Sequence, residues 1–240
     1  NEPHLMVHPN KNTGGSGGFA RGMLESLHQT PRATHVLLMD DDVLVLPESI
    51  KRTYTLLSLL KPEYDGWFIS GAMLYYEEMN IQHEDIGTVC SNVDFCSLKP
   101  RLFHDSLKDN LTNELVFLEH PNEYAGWWYC CIPVSHIEKK GLPLPLFIRC
   151  DDIEYSLRSH AKIITMNGIC IWHMGFVNKY NAAFDRYQQC RNLLIGKAAT
   201  NIGKDVDMFA FWEKSFKAEI LRFNYNAAEL VLRALEDYMQ

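Results

Sequence analysis

The stretch Thr34-His35-Val36-Leu37-Leu38-Met39-Asp40-Asp41-Asp42 decides the fold. An apolar run of strand length ends in three adjacent carboxylates. Like charges packed at the end of a buried strand repel one another, and in a folded site they need a cation or strong hydrogen bonding. The competing reading is a solvated acidic loop. Val43-Leu44-Val45-Leu46 argues against it, because apolar residues flank the acidic group on both sides. Pro47 then suits a first helical position, and the pattern predicts a helix to about Leu60, stopped by Pro62.

Upstream, Leu5-Met6-Val7-His8 reads as a short strand and Asn10 to Gly18 as a glycine-rich loop opening a helix at Phe19. Such a loop offers backbone N–H groups and a helix's positive end to an anion; a tight strand-to-helix turn accounts for it equally well. No Gly-Lys-Ser/Thr follows, so it is not a phosphate loop of the Walker type.

Downstream, Gly66 to Tyr75 reads as a strand, followed by Gln82-His83-Glu84 and by a polar, irregular excursion over 88–120. In Glu123 to Pro133, Trp127 and Trp128 on a strand point to opposite faces, one a candidate sugar-stacking ring; core packing of both is the alternative. Next, an apolar stretch from Leu142 ends in Asp151-Asp152-Ile153-Glu154, which opens a helix. Acidic residues there suit the helix dipole, and the pair is also placed to act as a base. A strand over 163–173 ends in Trp172-His173, and neutral imidazole is a common metal ligand; a satisfied core histidine is the alternative. From Asn181 the pattern is helical, with amphipathic helices from about Val206 to the end. That shift predicts a division into 1–200, a mixed α/β catalytic domain, and 201–240, a helical segment.

The chain has 240 residues, 47% hydrophobic and 22% charged, with a formal charge of −7. It can bury a real core, and the acidic balance gives no support for a nucleic-acid binder. No apolar run approaches the ~20 residues of a membrane span. Seven cysteines without a repeated CxxC read as reduced thiols of a cytosolic protein.

The order of these motifs resembles the inverting family-2 glycosyltransferases with the GT-A fold, within them the galactofuranosyltransferase and rhamnosyltransferase-like branch. The residues that carry it are Asn12 to Gly22, Asp40-Asp41-Asp42, Gln82-His83-Glu84, Trp127-Trp128, Asp151-Asp152-Ile153-Glu154, Trp172-His173 and Arg191-Asn192, spread over residues 5 to 195. The resemblance implies a first strand–helix–strand unit that holds part of the nucleotide, and the pattern of this chain is expected to begin near the third strand of that fold. The resemblance implies a Rossmann-like α/β core and metal-dependent inverting transfer of a sugar such as galactofuranose. The donor would be a nucleoside diphosphate sugar, a UDP-sugar above all, and the acceptor a glycan or lipid-linked glycan.

Asp40, Asp42 and His173 would hold Mn²⁺ or Mg²⁺, as a mixed carboxylate and imidazole set suits. Asp152 would be the base, with Asp151 beside it. Asn12, Gly17, Arg21 and Asp41 would line the donor side, and Glu84, Trp127 and Trp128 the acceptor side. A glycan-binding remnant, or a phosphatase or nucleotidyltransferase using the aspartates, are the rival readings. The resemblance also implies a cytoplasmic protein that can work at the inner face of a membrane or as a homo-oligomer. The stripe Phe216, Ile220 and Phe223, flanked by Lys214, Lys217 and Arg222, fits either a bilayer surface or packing on the protein itself.

Overall fold

A computed structural model describes residues 5–89, 95–99, 102–115, 120, 122–200 and 207–240. Its centre is a sheet whose order is β1 (His35–Met39), β8 (Tyr129–Pro133), β3 (Phe68–Tyr75), β9 (Ile163–His173) and β2 (Leu44–Val45), with β4 (Gln82–Glu84) on β3. A second, small sheet runs β6 (Phe95–Ser97), β5 (Gly87–Val89), β7 (Glu123–Tyr124). β3 and β9 are parallel, and β8 is antiparallel to both β1 and β3. Hence β1, β3 and β9 run one way and end at one edge. β8 begins at that edge. This arrangement fits the Rossmann-like GT-A core that the motifs imply, and in open α/β sheets ligands bind outside the carboxyl ends of the strands.

Side chains alternate across the sheet, and the two faces bury separate clusters. Leu38, Phe68, Cys130 and Ile132 face a layer with Met23 of α1 (Gly14–Leu27), Ile137 of α4 (Val134–Lys140) and Tyr155 of α5 (Asp151–Ser159). Leu37, Ile69, Tyr129, Cys131 and Ile171 face Leu56 and Leu57 of α2 (Pro47–Leu59). The helix predicted from Pro47 is thus present, with proline at its first turn. Beyond α3 (Leu107–Leu115), a π-helical segment Ala183–Gln188 leads into α6 (Gln189–Thr200). Helices α7 (Met208–Leu221) and α8 (Tyr225–Met239) follow, and Val231 and Ala234 of α8 bury against Cys190 of α6. The division expected between 200 and 201 falls at residues 201–206, outside the described residues.

Four local expectations are corrected. Leu5 to His8 forms no strand; Leu5, Met6 and Val7 are exposed and no neighbouring strand pairs with them. The glycine run is the first turn of α1 itself. Tertiary contact overrides the poor helix propensity of glycine there: Ser16 N donates to Phe147 O at 3.1 Å and Ser16 Oγ to Leu144 O at 2.7 Å. Gly14 at φ +71° abuts Phe147, where a Cβ would lie 2.0 Å from its carbonyl oxygen. Trp127 and Trp128 precede β8 in a turn instead of lying on a strand. Cys96 is disulfide-bonded, whereas Cys130, Cys131, Cys150, Cys170 and Cys190 are free. No described helix is long and apolar enough to cross a membrane.

Candidate active site

Asp40 and Asp42 lie on the turn that leaves β1, and His173 is the last residue of β9. Ligand atoms of these three all fall within 4.8 Å of one another. His173 Nε2 lies 3.3 Å from Asp42 Oδ1, and the ring is buried at 3% exposure. Asp41, between the two ligands, is outside the group; Asp41 and Asp42 lie in a turn, so the turn and not strand alternation separates them. Two carboxylates and an imidazole fit a hard or borderline divalent cation such as Mn²⁺ or Mg²⁺.

A cationic group already occupies that seat. Lys179 Nζ donates to Asp42 Oδ2 and lies 3.0 Å from His173 Nε2. Burial alone would raise the Asp42 carboxyl, but Lys179 and His173 outweigh it and hold it below the usual carboxylate range. Asp40 has no side-chain hydrogen bond from such a partner among the described residues. Burial pushes it up to about 6 against the pull of His173, and the negative charges of Asp42 and Asp152 add to the rise. Nothing in the sequence signals Lys179, which reaches Asp42 across 137 positions.

The second half of the site opens α5. Asp151 is 8% exposed and Asp152 half-buried. Asp152 Oδ1 accepts from the Ile153 N–H at 2.8 Å. Burial raises both carboxyls, and each feels another carboxylate: Asp152 feels Asp151, and Asp151 feels Asp40. Glu84, at the end of β4, is 4% exposed and accepts from Tyr124 Oη at 3.0 Å. Burial pushes it up to about 8, despite the Tyr124 hydrogen bond and with help from Asp152 and Asp85. Glu154, the last acid of the motif, faces away; it is fully buried and paired with Arg158, which ties α5 to the carbonyls of Lys140 and Leu142.

The structure therefore brings Asp40, Asp42, His173, Asp151, Asp152 and Glu84 within electrostatic reach of one another. It does not give Trp127 and Trp128 open ring faces. They are 3% and 7% exposed and pack on opposite sides of the sheet. Trp127 lies edge-on to Phe19 and Tyr155, and Trp128 Nε1 donates to Gly71 O at 3.0 Å. Of the residues expected on the donor side, Asn12 Oδ1 accepts from Gly14 N at 3.2 Å, and Arg21 pairs with Glu25 at 2.6 Å. Gly17 lies against Thr13, whose Oγ1 would be 1.9 Å from an added Cβ. Of the C-terminal stripe, Phe216 stacks on Trp212, while Phe223 is exposed.

No protein-family model matches the chain. It is similar to two mycobacterial proteins named Galactofuranosyltransferase GlfT2: 31% identical to that of Mycolicibacterium smegmatis and 30% to that of Mycobacterium tuberculosis, over 98% of this chain in each case. The chain spans 38% of the length of each. The similarity runs along nearly the whole of this chain.

Proposed function

We propose, from that kinship, that the chain carries the transfer centre of a metal-dependent glycosyltransferase. It would move a sugar, galactofuranose in the first instance, from a nucleoside diphosphate donor to a hydroxyl of a glycan acceptor. The observation that carries this reading is the meeting, at the ends of β1, β4 and β9 and the start of α5, of a cation seat and a separate buried carboxyl pair. A phosphatase or nucleotidyltransferase would need the aspartates of β1 but has no use for a second pair.

Asp40, Asp42 and His173 would hold the cation, which when bound supplies positive charge to the departing diphosphate. Asp152 takes the proton of the acceptor hydroxyl. That oxygen bonds to the anomeric carbon as the carbon–diphosphate bond breaks and its electron pair leaves with the diphosphate. A raised carboxyl suits the task, since a base works best with a pKa near the working pH. Asp151 orients the acceptor beside it, and Glu84, with Tyr124 behind it, holds acceptor hydroxyls. Asn12, Gly17, Arg21 and Asp41 line the donor side. Trp127 and Trp128, expected on the acceptor side, are packed in the core and take no part in this reading.

The test is transfer from UDP-galactofuranose to a galactofuranosyl oligosaccharide with Mn²⁺, with the product's anomeric configuration read by NMR. A single displacement gives inversion. Retention would remove Asp152 from its role, and Mn²⁺ binding without transfer would leave a glycan-binding remnant.

A further inference from the structure

The segment Leu144–Cys150, immediately ahead of Asp151, has an unusual backbone. Phe147, Arg149 and Cys150 all sit in the left-handed region, at φ 70°, 70° and 68°. None is glycine. Each such residue is held at a cost of order 1–3 kcal/mol, and it persists only where its surroundings over-determine it. Two residues do so here, Ser16 through both its backbone N–H and its hydroxyl and Asn192 through its amide.

From one side, Ser16 at the start of α1 binds the carbonyls of Leu144 and Phe147. From the other, Asn192 of α6, fully buried, donates through Nδ2 to Leu146 O at 3.0 Å, Ile148 O at 2.8 Å and Arg149 O at 3.0 Å. Its amide has one workable orientation. Oδ1 accepts from Arg191 at 3.2 Å and 3.0 Å, which leaves both N–H protons for the three carbonyls. The next residues along the chain are Asp151 and Asp152, in the first turn of α5.

We infer that Asn192 is a positioning residue for Asp152: its amide fixes the strained 146–149 backbone and thereby the point from which the carboxyl pair approaches Asp40. The inference rests on the assignment of Asp152 as the base. The residue touches no reacting group, so its effect belongs in turnover. Misplacing a catalytic group by about 1 Å costs on the order of 10²-fold in rate.

The experiment compares Asn192→Asp, Asn192→Ser and Asp152→Asn in the full chain by steady-state kinetics and by Mn²⁺ titration. Asn192→Asp keeps the size and turns a carboxylate oxygen on the carbonyls; Asn192→Ser is smaller and keeps one donor. The expected result is a kcat lower by roughly 10²-fold for Asn192→Asp. Partial recovery is expected in Asn192→Ser, with donor KM and Mn²⁺ affinity within about twofold of the parent in both. Unchanged kcat in both variants overturns the inference. So does a parallel loss of kcat and Mn²⁺ binding, which marks a merely structural role. Full activity in Asp152→Asn overturns instead the base assignment beneath it.

Discussion

Asp42 and Asp152 both act electrostatically on Asp40, yet their own carboxyls are displaced in opposite directions. Asp42 is about half exposed and carries its own counter-ion, so Lys179 and His173 keep it ionised. Asp152 has no ion pair among the described residues; burial and Asp151 hold its proton more tightly. Two solutions to the same problem of crowded negative charge lie side by side. One is compensation by a cation, which suits a group meant to bind a metal. The other is retention of a proton, which suits a group meant to exchange one. Pairs of titratable groups pushed apart by their environments are a recognised mark of divided catalytic roles.

The comparison breaks most visibly at Asp152. Asp152→Asn keeps the shape but accepts no proton, so transfer should fall by ~10²–10⁴-fold, the usual contribution of a positioned base, while Mn²⁺ titration stays unchanged. A parallel loss of metal binding would mean that the two halves are one unit.

Glu84 tests the buried half through stability. Its folded carboxyl titrates near about 8, whereas an unfolded glutamate ionises near ~4.3. Between those values the folded chain binds the extra proton, so stability falls as pH rises through that window. Glu84→Gln should flatten this slope, gaining on the order of 1–3 kcal/mol relative to the parent at pH 8 against pH 5. Thermal unfolding at the two pH values measures it, and parallel curves for parent and variant would contradict it.

The metal half responds to its ligands. His173→Ala should weaken Mn²⁺ by at least about tenfold, since even residues that only support a ligand cost 10–100-fold. Calorimetry gives the value directly. Lys179→Met is the smallest effect and the sharpest test of compensation. Removing a partly buried ammonium from the seat should tighten Mn²⁺ by about threefold, in the range of partly exposed ion pairs. Weaker binding would make Lys179 a partner of the cation's complex instead of its stand-in.

Much of this was legible along the chain. Apolar runs of strand length ending in carboxylates or in Trp-His marked β1, β9 and the approach to α5, because burial and charge are written into local composition. Pro47 marked the start of α2. The glycine run misled because its helical form depends on Ser16 and Phe147, 131 residues apart, and local propensity favours a loop. The tryptophans admitted two readings because adjacency says nothing about what each ring meets; Phe19 and Tyr155 on one side and Gly71 on the other settle their packing.

By itself the sequence determined the alternation of strands and helices, and it placed Asp40, Asp42, Asp151, Asp152 and His173 at the ends of those elements. Periodicity and charge act over a few residues, so a linear pattern carries them. Only the tertiary structure decided that β1, β3 and β9 end at one edge. It also set Lys179 on the cation seat, Tyr124 behind Glu84, and Asn192 against the backbone that leads to Asp151. Those pairings span 40 to 137 positions. They exist because burying an apolar sheet between helix layers fixes which distant polar groups must satisfy one another, a condition that no local pattern expresses.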